Sequence, residues 1–310
     1  MITLGIDTSN YTTSCALYNS ETDSVIQKRK LLPVKPGEKG IRQSDAVFHH
    51  TQALHALLGE LFEEAGTGFD AVGYSDRPRD AEGSYMPCFT VGINTALSIS
   101  AATGKPSYGF SHQSGHIAAA LWSCGRMDLI DKEFIAFHVS GGTTEVLHIS
   151  PDSERIFKAA IIGSTLDINC GQAVDRAGVM LGLEFPCGAE LEKLAAESEE
   201  TYNPKVCVNN GSCSLSGLEN LCGKMFSEGE CKENIARFCL DFIGKTLEKM
   251  TEYAVSLYGD LPLVYSGGVM SDAIIKERIA GRFNAEFALP DYSRDNAAGA
   301  AVLACLKGKL

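Results

Sequence analysis

Three stretches of this 310-residue chain share one grammar, an apolar strand that runs into a tight turn of small polar residues. The first is Leu4-Gly5-Ile6-Asp7-Thr8-Ser9-Asn10, followed by Thr12-Thr13-Ser14 and a second strand, Cys15-Ala16-Leu17-Tyr18. The second is Phe134-Ile135-Ala136-Phe137-His138-Val139, then Ser140-Gly141-Gly142-Thr143-Thr144, then Glu145-Val146-Leu147-His148-Ile149. Each reads as a β-hairpin whose turn offers backbone N–H groups and hydroxyls. In the third, Leu263-Val264-Tyr265 enters Ser266-Gly267-Gly268, and a helix is expected from about Ser271 to Arg282. A strand feeding a glycine turn at a helix N-terminus is a ready anion site. Two hairpins, each opening one half of the chain, predict a duplicated α/β architecture with a sheet in each half.

Helices fill the intervals. Residues Ala46 to Glu64 carry Val47, Leu54, Leu57, Leu58 and Leu61 as a helical stripe. Thr90 to Ala102 ends near Gly104, and Ile235 to Leu257 is the longest, with Ile235, Cys239, Phe242 and Leu247 on its buried face. The polar, Cys- and Gly-rich stretch from about Glu197 to Glu230 reads as an irregular insertion.

Composition narrows the function. A chain with 45% apolar and 21% charged residues is an ordinary globular one. No run reaches the roughly 18 apolar residues of a membrane span. The N-terminus goes straight into a strand, so the expected location is the cytoplasm. The eleven cysteines include no Cys-x-x-Cys pair and read as free thiols. A net charge of −12 argues against autonomous nucleic-acid binding. The local exception, Lys28, Arg29, Lys30, Lys35, Lys39 and Arg42, reads equally as a solvated loop.

His112 and His116 lie four apart at the start of a helical run, which puts both imidazoles on one face. That spacing suits two ligands of one divalent metal, although the pattern alone more often marks a cap followed by a surface residue. Without Glu after His112, a zinc-protease motif of the His-Glu-x-x-His type has no support. Asp295, in Ser293-Arg294-Asp295-Asn296, reads as the cap of the last helix or as a third ligand. Asp175 and Gly188 could address a ribose and a close-lying ligand, or serve in capping and turn formation.

Together these residues resemble the TsaD/Gcp family of the ASKHA (actin-like, sugar kinase, Hsp70) superfold. The family's His-x-x-x-His matches His112 and His116, and its Asp-Asn matches Asp295-Asn296. Its Val-Ser-Gly-Gly-x-Thr hairpin matches Val139 to Thr144, and its Gly-x-Ala-x-Asp with a later turn glycine matches Gly171, Ala173, Asp175 and Gly188. Ser216-Gly217-Leu218 and Gly267-Gly268-Val269 complete the ordered set. The chain departs from the pattern at Asn10-Tyr11-Thr12-Thr13, at Arg77-Pro78-Arg79-Asp80, and at Gln172, Glu219 and Asp272, which marks it as a divergent paralogue.

The resemblance implies a two-lobed α/β fold with a nucleotide cleft between lobes. The lobes are expected at 1–125 and 126–310, with a last helix of about 294–307 packing back toward the first. It implies a metal, iron or zinc, on His112, His116 and Asp295. It also implies an adenine nucleotide or acyl-adenylate held by Ser140, Gly141, Gly142, Thr143, Asp175, Gly188, Glu192, Gly267, Gly268 and Asp272. No residue is singled out as catalytic. The implied activity is a metal-dependent acyl-adenylate transferase resembling tRNA N6-adenosine threonylcarbamoyltransferase. The implied partners are tRNA reached through partner proteins and a hetero-oligomer with related ASKHA proteins, with no membrane. The alternative is a non-catalytic, nucleotide- and metal-binding partner subunit, and the family's old glycoprotein endopeptidase label ranks last.

Overall fold

The computed structural model describes residues 1–9, 11–33 and 41–309. Asn10, Lys35 and Lys39 therefore lie outside the described residues. The chain divides into two compact units, one of Met1–Asp131, Pro151–Lys158 and Asp291–Leu310, the other of Lys132–Ser150 and Ala159–Pro290.

The first unit holds β1 (Ile2–Asp7), β2 (Thr12–Asn19), β3 (Ser24–Leu31), α1 (Gln43–Ala65), β4 (Ala71–Arg77), α2 (Phe89–Thr103), β5 (Ser107–Ser111) and α3 (His112–Ser123). Its sheet runs β3-β2-β1-β4-β5. β1, β2 and β3 form an antiparallel meander, whereas β4 joins β1 and β5 joins β4 in parallel. Leu4, Ile6, Cys15 and Leu17 from the hairpin pack with Leu54, Leu57, Leu58 and Leu61 of α1, the helical stripe seen in the sequence.

In the second unit β6 (Phe134–Val139) and β7 (Thr144–Asp152) pair antiparallel, and β8 (Ile156–Ser164) follows. Next come α4 (Cys170–Met180), α5 (Gly188–Ala196), β9 (Cys207–Asn209), β10 (Ser212–Ser214), α6 (Ser216–Ser227) and α7 (Lys232–Tyr258). The unit ends with β11 (Leu263–Ser266), α8 (Ala273–Ala280) and β12 (Ala285–Phe287). Its sheet order is β12-β11-β6-β7-β8, with β11 parallel to both β6 and β12. Read from its hairpin outward, this is the strand order of the first sheet, with the same antiparallel hairpin followed by two parallel pairings, so the duplication expected from the two hairpins extends to the order of five strands.

α9 (Ala298–Lys307) closes the chain and belongs to the first unit. It reads AGAAVLACLK and packs on β1, β4 and α3. Such close approach needs small residues. A Cβ on Gly5 would lie 2.2 Å from the Ala297 carbonyl oxygen, and one on Gly73 would lie 2.1 Å from that of Ala300.

Two expectations need correction. The stretch from Glu197 to Glu230 is not irregular. It contains the β9–β10 hairpin, turned by Asn210 and Gly211 with φ of 48° and 75°, and the helix α6, which buries Leu218 and Cys222. Only two buried positions in twelve leave a helical stripe too thin to read. The helix after the glycine turn is also shorter than expected, because a 3-10 turn over Gly268–Ser271 precedes α8.

Candidate metal and nucleotide sites

β5 passes directly into α3, and this junction is clamped. The Ser111 hydroxyl caps the helix by accepting the Ser114 N–H at 3.1 Å. The Ser111 and Ser114 hydroxyls reach the same Asp80 oxygen at 3.1 and 2.9 Å, and the Gln113 N–H bonds to the Pro78 carbonyl. The Arg77 guanidinium bonds to the other oxygen of Asp80. The loop Arg77-Pro78-Arg79-Asp80, where the chain departs from the family pattern, thus fixes the first turn of the helix that begins at His112.

On α3 the two imidazoles meet. His112 Nε2 and His116 Nε2 are 3.0 Å apart, and Asp295 Oδ1 lies 3.6 and 3.3 Å from them. Three ligand atoms at roughly 2.0–2.2 Å from one ion are themselves roughly 3–3.5 Å apart, so the spacing fits a single metal. Two imidazole nitrogens and one carboxylate oxygen are a donor set for zinc or ferrous iron, with positions left for substrate. His116 is nearly buried, whereas His112 and Asp295 keep 20% and 32% of their side-chain surface, which leaves that open side.

Behind the histidines stands a residue that the sequence reading missed. Asp7, at the end of β1, is buried, and its Oδ2 sits 2.7 Å from His112 Nδ1. The same oxygen accepts the Ser75 hydroxyl, and Oδ1 accepts the Ser9 N–H at 2.8 Å. Carboxylates of this kind fix the tautomer and ring orientation of a ligating histidine. Burial opposes charge on His112, but the neighbouring carboxylates of Asp7 and Asp295 outweigh it and push the imidazole up to about 10. Burial also works against charge on Asp7 and Asp295, yet their bonds to the histidines hold both below the usual carboxylate range. A metal would take the place of the proton that His112 Nε2 carries. The available signal for Asp7 was an ionisable residue ending an apolar strand, which is common enough to pass as a turn former.

In the second unit the candidates for nucleotide binding fall into two groups. The Ser140–Thr143 turn closes on itself. Its Ser140 Oγ accepts the Gly142 and Thr143 N–H groups at 3.3 and 3.1 Å, and Gly171 packs against the backbone of Ser140 and Gly141. Gly141 and Gly142 have nothing within 4 Å of a notional Cβ, so a ligand can approach their backbone. The N–H groups expected to face a ligand are partly engaged by Ser140, and a phosphate there would share or displace that hydroxyl. Gly267, with φ of 100°, lies against the Val139 backbone at the end of β6, while Gly268 is open. That contact joins the glycine turn to the Ser140 hairpin.

The second group is acidic. Asp175 Oδ1 accepts the Cys187 N–H at 2.9 Å, next to Gly188 at the start of α5. Glu192 accepts the Ala273 N–H at 2.8 Å, and Asp272 caps α8 through the Ile275 N–H at 2.9 Å. Each therefore has a local structural task besides any contact with a ligand. The other departures from the family pattern are also engaged. Gln172 accepts the Asn169 N–H, Glu219 pairs with Arg176 at 2.9 Å, and the Thr12 hydroxyl lies 3.5 Å from Asp295 Oδ2.

Asp272 stands where the resemblance places asparagine, which yields a test. Burial pushes its carboxyl up to about 7. The folded chain then holds a proton that the unfolded chain, with an ordinary value of 3.8, releases. Stability from this group is present below about pH 4 and lost as pH rises toward 7. An Asp272→Asn variant keeps the cap and removes the charge. Its stability relative to the parent is expected to be near zero at pH 4 and to grow to about 1–3 kcal/mol at pH 8. Denaturant melts at the two pH values measure it, and an equal difference at both would show that the Asp272 charge is not the cause.

The family model for TsaD, tRNA N6-adenosine threonylcarbamoyltransferase, matches residues 24–302. A probable bifunctional tRNA threonylcarbamoyladenosine biosynthesis protein of Thermoplasma acidophilum is 27% identical over 90% of this chain, which spans 50% of that relative's length. The tRNA N6-adenosine threonylcarbamoyltransferase of Archaeoglobus fulgidus is 26% identical over 90% of this chain and 81% of its own length. Among solved structures, (R)-2-hydroxyglutaryl-CoA dehydratase component A of Acidaminococcus fermentans superposes with a TM-score of 0.58, covering 100% of both chains at 14% identity. That likeness shows the two-lobed α/β fold and nothing of chemistry. With the model match running through nearly all of both units, this chain belongs to the TsaD family.

Proposed function

We propose that this chain transfers a threonylcarbamoyl group from an adenylate to the amino group of an adenosine in tRNA. One observation carries the reading: His112, His116 and Asp295 converge to metal-ligand spacing with Asp7 behind them, in a chain of this family. Asp7 accepts the His112 Nδ1–H, which turns the Nε2 lone pair toward the ion. Thr12 supports the outer oxygen of Asp295. The metal, when bound, supplies Lewis acidity and a fixed charge that orients the donor. The Ser140–Thr143 turn would hold the phosphate, and Asp175, Gly188, Glu192 and Asp272 would address the ribose and base, beside Gly267 and Gly268. The acceptor nitrogen forms a bond to the carbamoyl carbon, the bond from that carbon to the phosphate oxygen breaks, AMP leaves, and the nitrogen loses one proton. No side chain becomes bonded to the acyl group.

The non-catalytic alternative is not favoured. The departures from the family pattern would favour it, yet most of them have structural partners within their own unit. Partner proteins of related fold remain part of the proposal; no helix among the described residues is long and apolar enough to cross a membrane.

The test is direct transfer. Metal-loaded chain, threonylcarbamoyl-adenylate and tRNA, with partner proteins of related fold added in a parallel arm, are expected to give the modified nucleoside and an equal amount of AMP, both read by mass spectrometry. Nucleotide binding without modified nucleoside in either arm, beside an active relative as control, would overturn the reading.

A further inference from the structure

The second unit carries a cationic groove that none of the candidate metal- or nucleotide-binding residues line. Its volume is about 430 Å³, and its walls include Lys205, Val206, Val208, Lys245, Lys249 and Tyr253. Three lysines and no carboxylate line it, on a chain whose net charge is −12. Lys245, Lys249 and Tyr253 recur every four residues along α7, so they form one stripe about 12 Å long. The β9–β10 hairpin covers one end, where Gly211 lets the Tyr253 ring lie against the backbone.

The charge of this groove is built in. A continuous chain of ion pairs runs along α7 and α8. Arg237 and Arg278 share Asp241, Arg278 reaches Glu248, Glu248 also takes Lys245 and Arg282, and Arg282 and Lys249 share Glu252. Five cations meet three carboxylates. Gly244 makes the arrangement possible, since its notional Cβ would lie 2.9 Å from Arg278 Cδ. Arg278 also holds the preceding loop, through the Tyr202 carbonyl and Asn203 Oδ1. That anchoring brings Lys205 to the rim, where it has no carboxylate partner among the described residues. By contrast, in the basic stretch near the N-terminus, Lys28 is paired with Glu64 and Arg29 with Asp291.

We propose that this groove docks the phosphodiester backbone of the RNA acceptor. Successive cations on a helix stripe answer successive phosphates, and a half-exposed tyrosine between apolar walls offers a base a stacking face. The inference rests on the reading that the acceptor is an RNA, and it assigns where that RNA is held. An open groove lined by three lysines and no carboxylate matches a strand that presents several charges in a row, whereas the rest of this acidic chain repels one.

The experiment is a binding titration of the full chain with tRNA over a range of salt, without acyl donor. Lys205→Glu with Lys249→Glu reverses two exposed charges, and Lys205→Gln with Lys249→Gln removes them. The Lys249 pair is exposed and worth little to the fold, and melting curves check that both variants are folded. The expected result is at least a tenfold weaker affinity for the reversed pair, with the slope of log affinity against log salt reduced by about 1–2. Unchanged affinity and slope in both variants would overturn the proposal. So would absence of RNA binding by the unmodified chain, or a loss confined to a mononucleotide such as AMP, which would make a small anion the occupant. Groove-dependent binding without acyl transfer would sink the proposed function alone. Acyl transfer with groove-independent binding would sink this inference alone.

Discussion

His116→Ala is expected to leave the purified chain with less than about a tenth of the metal held by the parent, whether zinc or iron is supplied. Three protein ligands are a minimum for an open site, and deleting one removes about a third of the bonds together with the geometry. His116 is the ligand most buried by its surroundings, so no neighbouring group or bulk water replaces it well. Asp7→Asn gives the informative contrast. It leaves all three ligands in place and removes the charge behind His112, so metal should still bind, with affinity lowered about 10–100-fold. Elemental analysis after dialysis against graded chelator separates the two cases. If His116→Ala retains a full equivalent of metal, the proposed site is wrong. If Asp7→Asn binds as tightly as the parent, Asp7 does not position His112.

What could be read in the sequence follows from range along the chain. Hairpins are local, so the strands around Asp7–Thr12 and Val139–Thr144 were legible from alternation and turn chemistry alone. The shared helix face of His112 and His116 was legible for the same reason. Asp295 was named as a cap or a third ligand, but its place beside them was not legible, because nothing local brings a residue near another about 180 positions away. Asp7 was hidden differently. Its partners, His112 and Ser75, come from two other elements, and only the sheet order β1-β4-β5 places the three together. The segment Glu197–Glu230 failed because its elements bury so little that composition masked their period. The groove over α7 was invisible for a related reason: Lys205 meets Lys245 and Lys249 only through the fold, and a net count along the chain gives −12.

Gly299→Ala is expected to be the most damaging single-methyl change in the first unit. Asp295 stands three residues ahead of α9, so the position of that helix decides whether the carboxylate reaches the histidines. α9 lies on α3 with backbone against backbone, and a Cβ at Gly299 would sit 1.8 Å from the Gly115 carbonyl oxygen and 2.5 Å from its carbon. Neither atom can turn aside as a flexible side chain would. The helix must move, and its other face is already tight, with Gly5 and Gly73 beneath the Ala297 and Ala300 carbonyls and the Thr3 hydroxyl bonded to the Ala301 carbonyl at 2.7 Å. Alanine gains about 1 kcal/mol over glycine in helix propensity, so the strain must exceed that gain before any loss appears. Overpacking of a tight core costs about 1–3 kcal/mol and sometimes more, and backbone contact on both faces puts this case at or above the upper end. The expected outcome is a net loss of about 2–3 kcal/mol, a melting temperature lower by roughly 5–10 °C, and weaker metal binding as Asp295 is carried away. Gly115→Ala is the control, because its Cβ would meet only the Ala300 nitrogen at 3.9 Å, an ordinary contact. That variant should melt at or slightly above the parent. If Gly299→Ala melts like the parent and binds metal equally well, the packing of α9 on α3 does not set the position of Asp295.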